Sequence, residues 1–296
     1  MEPALSVLQA LLNRRNGRQD DYRIGLIVAG GGMRGCISAG MLACLHDEGL
    51  AGLFDCLYGV SAGVPNSCYF LGGQPEGAVS LYRQLANKEH FINYRRSFRG
   101  YPLIDGEFLM SCLLEGPSPL PWEKITESKT PLHITTTVFS TGDTKFWRSP
   151  SDVENLKLLV EASGQLPTIT GHPVIIGEEA YCDGAISCPL PSRQAIADGC
   201  THILCLVNTP KGSAHAKRLE QRLSYLYLQR RVPRLAHLYP LHESYYKQAT
   251  ELLEEMPTAQ IIAPQQLLPQ LGTHEPAIIA AHQDGYDTMS RALCLV

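Results

Sequence analysis

Two short apolar runs, each leading straight into a glycine-bounded turn and a helix, constrain this chain more than any other feature. RIGLIVA (23–29) is apolar at almost every position, the pattern of a strand covered on both faces. It ends in Gly30-Gly31-Gly32-Met33-Arg34-Gly35, and CISAGMLACLHDEGL (36–50) then reads as a helix closed by Gly49. FDCLYGV (54–60) is a second apolar strand, and SAGVPNSCYFLGG (61–73) begins a second helix with no linker between. Strands joined through a helix lie parallel, because parallel neighbours need a crossover connection.

The alternation continues. LHITTTVF (132–139) reads as a strand, TKFWR (144–148) as an antiparallel addition, and 152–163 as a helix. PVII (173–176), the residues before Asp183 and HILCLV (202–207) read as strands, with SRQAIADG (192–199) helical between the last two. Helices are expected over 4–15, 214–230, 234–255 and 276–295, and a last strand over 259–264. The expected fold is a three-layer α/β/α architecture with a mostly parallel central sheet. No composition break demands a second domain, so 1–296 is read as one, with its motifs over 23–210 and a helical part over 211–296.

Of 296 residues, 44% are hydrophobic and 18% charged, enough apolar material for a full core and too little charge for disorder. The net charge of −4 argues against a dedicated nucleic-acid binder. No apolar run approaches the roughly 18 residues of a membrane span, and the opening MEPALSVLQALLNRRNGR lacks the features of a secretory signal. A cytoplasmic location is therefore expected. The ten cysteines form no CxxC and no zinc-ligand pattern, and most lie in apolar runs, so they read as reduced core thiols with no metal site.

Chemistry concentrates in the two glycine turns. Gly59-Val60-Ser61-Ala62-Gly63 is G-x-S-x-G between a strand and a helix, the setting of a nucleophile elbow. Glycine at 59 and 63 permits the tight turn, and the following helix turns its amino-terminal amides toward the Ser61 hydroxyl. Gly30–Gly35 also fits the dinucleotide fingerprint G-x-G-x-x-G. That reading needs an acidic residue at the end of the next strand, where this chain has Ser61, while Asp55 stands at the strand's start. As an alternative, the consecutive glycines would turn backbone N–H groups outward beside Ser61 as an oxyanion cradle. A serine nucleophile also needs a base. None of the ten histidines lies in a recognisable motif. A triad would draw on His202, His237, His274 or His282, all of which follow Asp183. Asp183, in Tyr181-Cys182-Asp183-Gly184-Ala185, reads either as a turn residue or as a site acid.

GGGMRG (30–35), GVSAG (59–63) and DGA (183–185), in that order, resemble the patatin-like phospholipase family. The resemblance extends to Ala162-Ser163, Leu166-Pro167, Pro173-Val174, Gly177 and Tyr181, while IDGEF (104–108) is similar to compact bacterial esterase-type members. It implies a Ser61–Asp183 dyad, an oxyanion hole built from Gly30, Gly31, Gly32, Met33, Arg34 and Gly35, and a DGA motif completed by Gly184 and Ala185. It also implies hydrolysis of lipid or other acyl esters, without cofactor. A desolvated Asp183 would have a raised pKa, as a carboxylate acting as base requires.

Three further features carry less. Arg34 either pairs with a substrate phosphate or braces its own loop. NYRRSFRGYP (93–102) interleaves arginines with aromatic rings, as a headgroup-binding loop or a solvated one. Residues 211–234 hold seven Lys/Arg against Glu220. Lys217, Arg218 and Arg222 on one side of a helix there would give a weak peripheral contact with an anionic membrane; an ordinary surface helix has the same pattern.

Overall fold

In the computed structural model, β1 (Ile24–Val28) lies between β2 (Cys56–Val60) and β7 (His202–Leu206), parallel to both. Residues 5–87, 91–93, 102–167, 169–212, 229–230, 232–266 and 274–296 are described. Among them the sheet is eight-stranded: seven strands run in the order β5-β6-β3-β2-β1-β7-β8, and the eighth, β4, pairs with β3 off that path. β3 (Leu132–Val138) and β8 (Ala259–Ile262) extend the parallel part. β4 (Thr144–Arg148) and β6 (Glu179–Asp183) run antiparallel to β3, and β5 (Val174–Ile176) antiparallel to β6.

The three layers follow from strand alternation. Leu26 and Val28 of β1, with Leu57, Leu204 and Leu206, point to one face. There they meet α1 (Val7–Arg15), α2 (Gly35–Asp47), α3 (Gly63–Leu71), α4 (Pro75–Asn87) and α11 (Glu275–Cys294). Ile27, with Tyr58, Ile203 and Cys205, points to the other face, where Ala195 of α8 (Ser192–Ala197) and Ala249 and Leu253 of α10 (His242–Glu254) cover it. The ten cysteines are free thiols, all buried except Cys188 and Cys294. No helix of the described residues is long and apolar enough to cross a membrane.

Most expected elements lie within two or three residues of where the sequence puts them. Three corrections have local causes. The helix expected from residue 61 starts at Gly63, because Ser61 is held at φ 51° in the turn before it. The helix expected over 234–255 is broken at Pro240. α9 (Pro233–Ala236), a single turn at Tyr239–Leu241 and α10 replace it. Between residues 74 and 131, α4, α5 (Gly106–Glu115) and α6 (Trp122–Thr126) were not anticipated. Residues 94–101 and 213–228, which include Lys217, Arg218 and Arg222, lie outside the described residues.

The longest helix is seated by close backbone approach. α11 crosses α2 where Gly40 faces the His282 carbonyl and Gly285 faces the Ile37 carbonyl; a Cβ on either glycine would overlap that backbone oxygen. Alanine in a helix gains about 1 kcal/mol over glycine in propensity, but overpacking against a fixed carbonyl costs about 1–3 kcal/mol. At two facing positions the second effect wins. Gly40→Ala/Gly285→Ala should unfold at lower urea than the parent with an unchanged m-value; an equal or higher midpoint would show that the helices are not held by this contact.

Candidate active site

Strand pairing alone brings Ser61 and Asp183 together. β4 covers one edge of β3 from His133 to Thr137, so β2 and β6 share the other edge. β2 pairs with β3 as far as Val60↔Thr135, and β6 begins at Asp183↔Thr136. One strand therefore stops and the opposing strand arrives at consecutive residues of the same edge. The residue after Val60 meets the residue that ends β6: Ser61 Oγ donates to Asp183 Oδ2 at 2.7 Å.

Each side of this contact is built for closeness. Ser61 is the one non-glycine residue at positive φ among the described residues, a strained conformation that lifts its hydroxyl off the sheet. Gly63 lies so close to the Val28 carbonyl that a Cβ there would overlap it, and a Cβ on Gly59 would crowd the Val64 backbone. Gly184 passes the Thr135 carbonyl with no room for a side chain. The Asp183 carboxylate is 1% exposed, and its other oxygen accepts the Ala185 N–H at 2.8 Å. Burial raises its pKa to about 6, against the lowering effects of the Ser61 and Ala185 hydrogen bonds.

The Gly30–Gly35 loop faces the same point. A Cβ on Gly30 would stand 2.8 Å from Ser61 Cβ. Gly31 and Gly32 have φ of 153° and 58°, and among the described residues the N–H groups of Gly31, Gly32 and Met33 reach no acceptor within the chain. The Met33 side chain is buried, which fixes the loop's far end. Gly35 packs under the Tyr82 hydroxyl, and its carbonyl accepts from Asn66 Nδ2 at 2.8 Å. Arg34 is partly buried; desolvation lowers its pKa, opposed by nearby Tyr246.

One positioning residue was missed by sequence reasoning, and a second was read only as part of a motif. Asn208, 2% exposed just beyond β7, donates to the Ala29 and Gly30 carbonyls at 3.0 Å each and accepts the Ser38 N–H at 2.9 Å. It ties the glycine loop to the first turns of α2. Ser163, at the end of α7 (Val153–Gly164), accepts the Ser61 N–H at 3.2 Å and donates to the Thr135 carbonyl at 2.9 Å. A polar residue closing an apolar strand was the only signal for Asn208. Ser163 was noticed only within a motif.

No histidine of the described residues bonds to Ser61 or Asp183. His202 begins β7 at the opposite sheet edge, its ring tilted against Tyr22 with centroids 4.2 Å apart; His282 lies on α11; His237 and His274 are exposed. The described residues contain no cluster of three His, Cys, Asp or Glu able to hold a metal. A narrow apolar cleft opens between Leu166, Pro167 and Ile169, just after the Gln165 carbonyl that accepts the Asp183 N–H, and Val232, Leu235 and Tyr239; Ile186 closes it.

The patatin-like phospholipase model matches residues 26–196, more than half of the chain. The chain belongs to that family. YjjU of Escherichia coli (strain K12), an uncharacterized protein, is 27% identical over 255 residues, covering 79% of this chain and 66% of YjjU. The crystal structure of VipD from Legionella pneumophila superposes with a TM-score of 0.45 at 13% identity, covering 92% of this chain and 66% of VipD. The chain thus spans just under two thirds of the length of each.

The matched span takes in the glycine loop, the elbow and DGA, and leaves Asn208 outside it. Burying Asp183 has a thermodynamic cost with a defined pH window. Its folded pKa, about 6, lies above the unfolded value of about 4, so the folded state binds the proton more tightly. Stability from this group is intact below pH 4 and is lost as pH rises through 6. Asp183→Asn keeps the shape without the charge: its Oδ1 still accepts the Ala185 N–H, and its amide donates to Ser61 Oγ where the carboxylate accepted. It should melt several degrees above the parent at pH 8, with the gap closing by pH 4. A gap that is absent or independent of pH would mean that the carboxylate is not held in a desolvated site.

Proposed function

We propose that this protein is a serine acyl-hydrolase acting on carboxylic esters of lipids, with Ser61 as nucleophile and Asp183 as its base. The observation that carries the reading is the 2.7 Å hydrogen bond from Ser61 Oγ to a buried carboxylate whose pKa is raised to about 6. An ordinary aspartate, at about 4, is a poor acceptor for a serine proton; this one is a better match near neutral pH.

In the proposed mechanism Asp183 Oδ2 takes the Ser61 proton as Oγ attacks the ester carbonyl carbon. The carbonyl π pair moves onto oxygen, and that oxyanion lies against the unpaired amides of Gly31, Gly32 and Met33, with those at the start of α3 behind. As the tetrahedral intermediate collapses, the C–O bond to the alcohol breaks and Asp183 returns its proton to the departing oxygen. Water then attacks the acyl-Ser61 carbonyl, again giving its proton to Asp183, and the fatty acid leaves as Ser61 regains a proton. Apolar side chains, Leu166, Ile169, Ile186, Val232, Leu235 and Tyr239, gather where the chain follows the Gln165 carbonyl that accepts the Asp183 N–H, on the side an acyl chain would approach. The whole chain is read as one domain: β8 extends the sheet and α11 buttresses α2, which starts from the glycine loop.

Ser61→Ala and Asp183→Asn should each reduce hydrolysis of a short-chain nitrophenyl ester to background while remaining folded. A fluorophosphonate should label the parent at Ser61 alone. Turnover near that of the parent in either variant, or labelling elsewhere, would sink the assignment. For the parent, kcat/KM should fall tenfold per pH unit below about 6, as Asp183 takes up a proton.

Asn208→Ala should lower kcat at least about tenfold with little change in KM, because the loop amides serve the oxyanion rather than the ground-state ester. A change confined to KM would remove Asn208 from that role.

A further inference from the structure

The strands that end at Ser61 begin, at the other edge of the sheet, around a cavity of about 440 Å³. Arg23 precedes β1, Asp55 precedes β2, Lys129 and Pro131 precede β3, Asp198 precedes β7, and all line it. His133 of β3 and its cross-strand partner Arg148 of β4 complete the wall. Its size falls within the usual range for small-molecule pockets, about 300–1,000 Å³.

The charges are unevenly satisfied. Asp55 Oδ2 accepts from Arg14 Nη1 at 2.8 Å and from the Ile24 N–H at 2.7 Å, so its charge is already met from outside the cavity. Asp198 accepts the Tyr58 hydroxyl and Gln194 Nε2, each at 2.8 Å. The cations lack carboxylate partners, although Arg23 has the Cys200 thiol as a hydrogen-bond partner. Arg23, Lys129 and Arg148 form no ion pair with any described carboxylate, and Arg23 Nε is buried without an acceptor. Arg14 is shared between Asp55 and Asp20, so the lining itself holds three cations and two carboxylates, a net charge of +1.

We propose that this cavity binds a small phosphorylated anion, a phosphomonoester with a polar body, independently of the Ser61 site. A lining with a net positive charge and three cationic donors suits a phosphomonoester, which carries about −1.5 to −2 near neutrality. Two guanidiniums offer forked donors that suit phosphate oxygens, and Lys129 adds a point charge. His133 reports on occupancy. Its ring stacks on Tyr58 with centroids 4.7 Å apart, and Nδ1 lies 4.0 Å from Asp198 Oδ2. Burial, with Arg148 and Arg23 adding to it, holds its pKa below the usual histidine value, while Asp198 acts in the opposite direction. A phosphate between those two arginines would screen them and move the imidazole midpoint up.

The test titrates the full chain with inorganic phosphate and glucose 6-phosphate, with glucose as the uncharged control, and follows heat and the His133 ring resonances. In parallel, phosphatidylcholine vesicles with and without phosphatidic acid are co-sedimented with it. Saturable binding of a soluble phosphate should raise the His133 midpoint and weaken at least tenfold in Lys129→Gln/Arg148→Gln, two exposed positions whose change leaves the melting temperature of the free protein unaltered. Binding only to phosphatidic acid vesicles, lost in the same double variant, would support phosphate recognition with a lipid headgroup as the source. Absence of both, binding that the double variant retains, or a His133 midpoint that does not move on saturation would overturn the proposal. The midpoint is read on the parent, so the test stands even if the variant fails to fold.

Discussion

Everything at the candidate site depends on one edge of β3 being divided between two strands. Parallel β2 occupies it up to Thr135 and antiparallel β6 takes over at Thr136. This meeting fixes the approach of Ser61 and Asp183 before any side chain is considered. It also explains the small residues around it. Gly184 must pass the Thr135 carbonyl, Gly63 must pass the Val28 carbonyl, and Gly30 must pack on Ser61. Where backbones come this close, a methyl group on any of them would have to move a strand rather than a side chain. Ser163 ties the junction together by bonding both the Ser61 N–H and the Thr135 carbonyl.

The junction also sets the electrostatics. A carboxylate brought to the interior end of β6 loses water on all sides, and its two hydrogen bonds, from Ser61 and Ala185, do not fully offset that loss. The same desolvation that makes Asp183 a stronger base makes the folded state less stable at neutral pH. Stability given up at a buried charge is regained in the two cores on either face of the sheet, whose strand residues are almost all fully buried.

How much of this was legible in the sequence depended on whether the signal was local. The two strand–turn–helix units were readable because apolar runs, glycines and helix starts lie side by side from residue 23 to 73. The pairing of Ser61 with Asp183 was not: 122 positions separate them, and only a resemblance joined them. Asn208 is harder still, since its partners at Ala29, Gly30 and Ser38 are brought to it by β1–β7 pairing, which no local pattern encodes. No expectation was placed on α4 although Ala78, Leu81, Tyr82 and Leu85 repeat at helical spacing; Pro75 and Gly77 near its start are residue types common in loops. Proline in a first turn costs nothing, since that N–H has no intrahelical partner anyway. Gly77 is there because Tyr69 packs against it.

The two edges of the sheet differ in what they ask of side chains. At the edge where β1 and β2 end, the helices start, so backbone amides and helix dipoles favour negative charge without help. At the edge where the strands begin, the crossover helices end, and their carboxyl termini present partial negative charge instead. An anion can be held there only if side chains reverse that field, which is what Arg23, Lys129 and Arg148 do around the cavity while Arg14 and Tyr58 engage the two aspartates. Ordinary surface cations would be expected to pair with those nearby carboxylates. Instead both aspartates accept hydrogen bonds from groups within the scaffold, and Lys129 and Arg148 stand exposed at the rim, where the proposed anion would meet them.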